Sequence, residues 1–447
     1  MLWLLACTSG TIRLGDDTAG PVPLPVDDLV LTVDPEVSTV LHAAWTPPET
    51  GSASVEYRFE GEEWLVAPPT ADGAAVLLGI PADTSVEARV VVAGGGTEVP
   101  GASTTATTGS LPKDLILPVV ESWSPELAYD ADFVMISVSG GSYTYMPPYW
   151  IEILDRSGRV VWYKQIDDYM MTFYPTVSLD GTHIWYEGSN IFGFGGSDPY
   201  VVRRTLDGRW SETLTIPDMG QAVAEGPEDG FVYEQRTNNT NGLGRIDAAG
   251  TTSTVWDCAA WMRDRNVRAE NCWMNTSNWS EERNTVLASM FEADTVFEID
   301  LATGEPIRQM GQLEVGEPYR FDPEESTFAY QHDVYWTDAG TLLASTHVPD
   351  QSGVQVAAEY TVDDKTRTLT RIWSYTSTDR WATQVGEAVR LPNGNTVQGY
   401  GQDGAVREVT SDGTIAWEVS WPEDDQGYRV VGHSSMIPDL YALNQGR

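Results

Sequence analysis

Reactive side chains are few in this chain, and histidine, of which there are five, carries most of the chemical potential. His332 stands in Gln331-His332-Asp333, where a neighbouring carboxylate makes an imidazole a ready nucleophile or general base. With an ordinary pKa of about 6.5, such an imidazole is mostly unprotonated at neutral pH. His347 closes the same segment, residues 328–347, FAYQHDVYWTDAGTLLASTH. There Val334, Trp336, Leu342, Leu343 and Ser345 flank the turn pair Ala339-Gly340 in the alternating pattern of a β-hairpin. The return strand of that hairpin would bring His347 beside His332. His183, His433 in YRVVGHSSM and His42, on the strand face opposite Trp45, read as structural or exposed. With Cys7 set aside, Cys258 and Cys272 remain as an even pair, read as a disulfide in an exported chain, the alternative being two buried free thiols. No Cys and His cluster has zinc spacing, and neither a phosphate-cradling Gly loop nor Gly-x-Ser-x-Gly occurs, so no metal site is expected. Ca2+ among the surface carboxylates stays open, although no loop has its usual ligand spacing.

A repeat supplies the frame that those histidines need. An apolar strand ending in Asp, a Gly turn and a strand usually carrying Trp recur as Asp155-Gly158-Trp162, Asp207-Gly208-Trp210, Asp247-Gly250-Trp256, Asp300-Gly304, Asp363-Trp373 and Asp412-Gly413-Trp417. The Asp positions lie roughly fifty residues apart, the period of one four-stranded propeller blade. Most units are preceded by a second turn signal, at Asp180-Gly181, Asp229-Gly230, Arg283-Asn284, Ala339-Gly340 and Asn393-Gly394. Two hairpins per unit make four strands, which predicts an all-β chain with a β-propeller. Spacing alone leaves six or seven blades, because the span from Asp300 to Asp363 is long. In a propeller the first hairpin of each unit lines the central channel, so residues just before its first strand gather at one mouth. Counting back from each turn predicts a ring of Tyr174 and Pro175, Gln221, Trp273 to Asn275, Gln331 to Asp333, and Gln384 with Glu387. Aromatic and amide side chains converging there suit a planar aromatic ligand.

QHDV at 331–334, GEAVRLPNGNT at 386–396 and REVTSDGTIAWEV at 407–419 resemble the bacterial aryl-sulfate sulfotransferase family, over roughly residues 150–441. The resemblance implies six blades. It also implies sulfuryl transfer from an aryl sulfate to a phenol through a sulfated histidine, with further histidines and an arginine holding the sulfate oxygens. His332 and Asp333 match the family's His-Asp motif, where Asp333 either orients His332 or satisfies backbone donors. His347, Asn275, Gln331 and Tyr174 would then provide donors around the sulfate, with Trp273 and Gln384 lining the ligand. The family's earlier His-x-Asn element falls on Trp273-Met274-Asn275, where only Asn275 matches, and Thr383, Gln384 and Gly386 stand where the next channel strand would supply another histidine. Arg236, Arg320 and Arg380 are candidate sulfate ligands outside any matching motif. Two readings follow: an exported sulfotransferase-like enzyme with a reduced histidine set, or a lipid-anchored propeller that binds a ligand or protein without catalysis.

The 26 basic residues stand against 66 acidic ones, a net charge of −40 that repels nucleic acid and anionic membrane surfaces. A small aromatic or sulfated molecule remains as the expected partner. At 447 residues two domains are expected, and 17 Trp, 19 Tyr and 41 Gly point to β structure with many turns. Leu4-Leu5-Ala6-Cys7 has the form of a lipoprotein cleavage box, with residues 1–7 as a short signal and Cys7 as the lipidated residue, which predicts a cell-envelope location. The apolar run is short, so either the start codon is misplaced or the resemblance to a cleavage box is accidental. Residues 8–27 have tether composition, and no stretch is long enough to span a bilayer. Residues 28–108 predict a small β-sandwich: TVLHAAWTPPE, VEYRFEGEEW and LLGIPADTSVEARVVV together resemble a fibronectin type III domain, with Val86 where such domains usually carry a tyrosine. The composition of residues 102–110, ASTTATTGS, marks a linker, and the propeller takes residues 111–447.

Overall fold

The computed structural model describes residues 22–139, 148–166, 169–190, 197–237, 241–268, 272–349, 351, 353–423 and 429–446. Cys7, the signal-like segment and most of the expected tether lie outside them. The chain forms two compact units. In the first, Val30–Val33, Leu41–Ala44, Ala74–Leu77 and Pro69–Ala71 make one sheet in that order, and Leu65–Ala67, Ser52–Phe59, Ser85–Gly94 and Thr97–Pro100 the other. Leu41, Ala43, Val55, Tyr57 and Phe59 are buried, as their alternation predicts for strands with one face on a core. Two expectations are corrected. The 102–110 stretch carries a strand, Thr104–Thr107, paired with Ser85 to Ala88, because threonine's branched Cβ suits a pleated edge. The last tether residues are also docked: Val26 is buried, and Asp27 accepts the Ala102 N–H at 2.6 Å.

The second unit is a six-bladed β-propeller of antiparallel sheets. Blade 2 is Thr176–Val177, Ile184–Gly188, Tyr200–Arg204 and Ser211–Thr215. Blade 3 is Met219–Glu225, Phe231–Arg236, Asn241–Ile246 and Thr252–Trp256, and blade 4 is Met274–Ser280, Thr285–Met290, Thr295–Asp300 and Pro306–Gly311. Blade 5 is His332–Trp336, Leu342–His347, Gln355–Asp363 and Thr368–Thr376, with Arg320–Asp322 added in parallel at its outer edge. Blade 6 is Glu387–Arg390, Thr396–Tyr400, Ala405–Val409 and Ile415–Ser420, edged by Val119–Trp123. Blade 1 joins both ends of the unit: the late strand Val431–Ile437 pairs inside Phe133–Ser139, Tyr149–Asp155 and Val160–Ile166, and so closes the ring.

The repeated residues explain why the blades form and stay together. Each Asp stands at the end of the third strand or in the turn after it, and folds its carboxylate onto N–H groups just ahead: Asp155 accepts from Ser157 and Arg159, Asp247 from Ala249 and Thr251, and Asp412 from Thr414. These are local turns that an Asp side chain builds for itself. The Trp that follows works between blades. Trp162 Nε1 donates to Leu206 O, Trp373 Nε1 to Ser411 O and Trp417 Nε1 to Arg156 O, each next to the Asp turn of the following blade. Arg156 also stacks 4.4 Å over the Trp417 ring and pairs with buried Glu408 at 2.5 Å, so blade 6 is fastened to blade 1 by packing and charge together.

Candidate functional site

At one mouth of the channel the inner strands are not regular. The register slips between Met219 and Val223, Met274 and Thr276, and His332 and Val334, and between Ile136 and Val138 opposite the closing strand. In a regular strand neighbours point to opposite faces. A bulge breaks that rule, so His332 and Asp333 are both buried at the mouth, with Asp333 at φ +51°. Two more residues beside the site hold left-handed backbone, Tyr330 and the β-branched Val385, a conformation whose cost is borne mainly where function demands it. At Gly432, next to His433, a Cβ would meet Ser137 Oγ at 2.1 Å and Phe173 O at 2.4 Å, so only glycine lets the closing strand come this near blade 2.

Hydrogen bonds run around the mouth from blade to blade. His433 N donates to Phe173 O at 2.6 Å. The Tyr174 hydroxyl donates to Asn275 O, and Asn275 Nδ2 donates to Gln331 O at 2.7 Å. His332 Nδ1 lies 2.9 Å from Gly386 O, and Glu387 accepts the Ser434 N–H at 2.9 Å. Glu187 accepts the Phe173 and Tyr174 N–H groups, and Glu234 accepts those of Gln221 and Met274. Because a carbonyl oxygen only accepts, Nδ1 of His332 carries the proton and its Nε2 carries the lone pair.

Burial sets the electrostatics. Loss of water pushes His332 down to about 3, with His433 adding to the shift, His433 to about 3 and His347 to about 4. All three rings are therefore neutral. The same burial raises Asp333 to about 6, and Glu387 to about 8 with Asp333 contributing. The Tyr174 hydroxyl is held well above its ordinary value by burial and by Glu187. Nε2 of His433 and Nδ1 of His347 are buried without a hydrogen-bond partner.

Several candidates sit where the spacing placed them and others do not. His332, Asp333, Tyr174 and Asn275 line the mouth, and His347 is close enough to His332 to depress its protonation. Asp333 does not orient His332: its carboxylate accepts from Asn278 Nδ2 at 2.9 Å and from the Ala388 N–H, while Gly386 holds the imidazole. The Gln331 side chain turns away, its amide donating to Ser289 Oγ, Met290 O and Thr295 O inside blade 4, so it is no sulfate donor. Gln384 is exposed, and Glu387 takes the position at the mouth instead. Trp273, 39% exposed, stands at the rim with Arg236 5.5 Å from its ring. Arg320 lies on the outer edge of blade 5, and Arg380 pairs with Glu418 and Asp403, so neither reaches the channel. Cys258 and Cys272 are joined in a disulfide across the passage from blade 3 to blade 4, which holds a short helix, Cys258–Arg263. His183 is buried against Trp210. His433, expected to be structural or exposed, instead meets Tyr174 with rings 4.6 Å apart and His332 with rings 6.1 Å apart. A separate recess of about 470 Å³ opens beside Trp150, Tyr163, Tyr186 and Tyr200, and no histidine lines it.

No family model and no curated protein matches this chain. Among solved structures it is similar to a protein of unknown function from Bacteroides caccae, at 12% identity over 64% of this chain and 93% of that one, with a TM-score of 0.43. It is likewise similar to catalytically inactive virginiamycin B lyase from Staphylococcus aureus with quinupristin, at 10% identity, 65% and 85% coverage and a TM-score of 0.39. A chain of the nidogen/laminin complex matches at 8% identity, 67% and 97% coverage and a TM-score of 0.41. The propeller itself follows from the sheet order and strand registers described above.

Proposed function

We propose that this protein transfers a sulfuryl group from an aryl sulfate to a phenol, with His332 as the group that carries it between them. The observation that carries the reading is the hydrogen bond from His332 Nδ1 to Gly386 O, which leaves a neutral imidazole whose Nε2 has no hydrogen bond among the described residues, in a channel mouth. In the first half Nε2 attacks sulfur, the bond from sulfur to the aryl oxygen breaks, and the phenolate leaves with that electron pair and takes a proton from water. The sulfated imidazolium keeps its Nδ1–H on Gly386 O. In the second half the acceptor phenol gives its proton to solvent, its oxygen attacks sulfur, and the electrons of the S–N bond return to Nε2. Tyr174, Asn275 and His433 supply the walls, and Trp273 with Arg236 a rim suited to an aromatic anion.

A second reading is favoured by one observation: Asp333 and Glu387 share the mouth and oppose a sulfate whenever they are ionised. On that reading the channel binds a ligand without transfer. Purified protein given an aryl sulfate should release its phenol faster when an acceptor phenol is present, and His332→Ala should abolish the difference. Ligand binding that depends on His332, with no transfer over a broad donor panel, replaces the enzyme by a binding propeller. The disulfide suits an oxidising compartment, which supports export with Cys7 lipidated at the membrane. Labelled fatty acid fed to producing cells should mark the protein and not Cys7→Ala, and an unlabelled wild type rejects the anchor.

A further inference from the structure

Among the described residues one group of metal-capable side chains converges: Asp333, Glu387 and His433 each bring one ligand atom within 4.8 Å of the others. They come from three blades, 5, 6 and 1, where the sequence alone points to no metal site. Behind the two carboxylates stand neutral donors. Asn278 Nδ2 and the Ala388 N–H serve Asp333, and the backbone and hydroxyl of Ser434 serve Glu387. Such partners fix a metal-binding carboxylate in direction, but they bring no positive charge.

Several other buried carboxylates of this propeller meet arginine: Glu408 pairs with Arg156, Glu298 with Arg308, Glu418 with Arg407, and Glu234 with Arg236. Among the described residues Glu187 and Glu152 have no arginine pair, but each stands apart from a second acid and an imidazole, Glu187 accepting main-chain N–H groups and Glu152 the Trp421 indole. Asp333 and Glu387 each bring a carboxylate oxygen within 4.8 Å of the other, and among the described residues no lysine or arginine pairs with either. A second observation points the same way. His433 Nε2 is buried with no partner among the described residues, and the ring of His332, its Nδ1 engaged by Gly386 O, lies 6.1 Å away. A buried, unpartnered imidazole nitrogen beside two carboxylates is a set that one cation can answer at once.

We propose that Asp333, Glu387 and His433 bind one divalent transition-metal ion, zinc or manganese by the class of the donors, at the channel mouth. One imidazole and two carboxylates form a three-ligand set that keeps a coordination position open, the pattern of a working site rather than a structural one. The open position would take a water or an anionic oxygen of the ligand. Imidazole in the set selects a transition metal over calcium or magnesium. The inference rests on this cluster and not on sulfuryl transfer, so the two can fail separately.

The test uses full-length protein stripped with a chelator and then titrated with Zn2+, Mn2+, Ca2+ and Mg2+ at physiological salt, with metal content measured after dialysis. Wild type should retain one tight equivalent of zinc or manganese beyond the weak surface binding of an acidic chain, at least tenfold tighter than calcium or magnesium. The ion should also raise its melting temperature. Asp333→Asn, Glu387→Gln and His433→Ala should each lose that equivalent. Because a variant that misfolds would lose it trivially, wild type is also titrated with Co2+, whose visible absorption should saturate at one equivalent with imidazole coordination. A wild type that holds no tight equivalent, or folded variants that hold as much as wild type, overturns the proposal.

Discussion

Glu187 on blade 2 clamps two main-chain N–H groups just ahead of its inner strand, and Glu234 on blade 3 clamps one from its own inner strand and one from that of blade 4, whereas across the same mouth Asp333 and Glu387, on blades 5 and 6, lie beside an imidazole. Both arcs use bulged inner strands and buried acids. On blades 2 to 4 the polar groups largely answer one another, as when Tyr174 donates to Asn275 and Arg236 pairs with Glu234. On blades 5 and 1, among the described residues, three histidines each keep a ring nitrogen without a hydrogen bond, although Asn275 Oδ1 on blade 4 is also buried without a partner. A satisfied network rigidifies, and an unsatisfied one is available for chemistry. On the proposed function, the comparison divides the mouth into an arc that mainly holds the channel in shape and an arc that carries the imidazoles.

The largest expected effect separates the arcs directly. His332→Ala should lower sulfuryl transfer by more than about 10³-fold, since the nucleophile is lost outright, while shifting the melting temperature by only a few degrees. Tyr174→Phe should change the rate by less than about tenfold. If the order is reversed, the division into frame and reactive arc is wrong. On the frame side, Cys258→Ser with Cys272→Ser opens a closure spanning 14 residues. Urea unfolding should show a loss of about 3 kcal/mol, with transfer retained at low temperature. Thiol titration of the unfolded, unreduced wild type should find neither cysteine free.

Smaller effects sharpen the contrast. Tyr174→Phe removes one buried hydrogen bond and should cost about 1 kcal/mol in unfolding free energy. Blade 6 outside the mouth is as well paired as blades 2 to 4: the Arg407 guanidinium beside Asp379 holds that carboxyl down to about 2. A carboxyl lowered in the folded state adds stability above its unfolded pKa, and that contribution is lost as pH falls through the folded value. The urea midpoint of wild type should therefore fall as pH drops toward about 2, and Asp379→Asn should flatten this acid limb slightly. An unchanged acid limb would mean that the openness of blade 6 extends beyond the mouth.

The blades were legible because their turns are local. Asp247, Asp300 and Asp412 build their turns from N–H groups within four residues, so composition and spacing carry the information. The ring was legible wherever an inner hairpin supplied a turn to count back from, which gave Tyr174, Asn275 and His332. His433 was not, since the closing strand Val431–Ile437 has no inner-hairpin turn and is separated by some 300 residues of chain from the strand it pairs with. Nor were the directions of Gln331 and Asp333, because the bulge at Asp333 reverses the alternation that a sequence reading assumes. The threonines of Thr104–Thr107 show the limit of composition: the same residues that read as linker pair as a strand once Ser85 to Ala88 lies alongside.

The central claim is that Nε2 of His332 accepts the sulfuryl group, and it is tested most directly by trapping that adduct. Wild-type protein mixed with an aryl sulfate and no acceptor, quenched in alkali and digested, should yield the peptide bearing His332 heavier by one SO3 group, and addition of a phenol before the quench should discharge it. His332→Ala should give no adduct. An SO3 group found on His347, His433 or Tyr174 instead, or rapid transfer with no covalent adduct at all, would contradict the account.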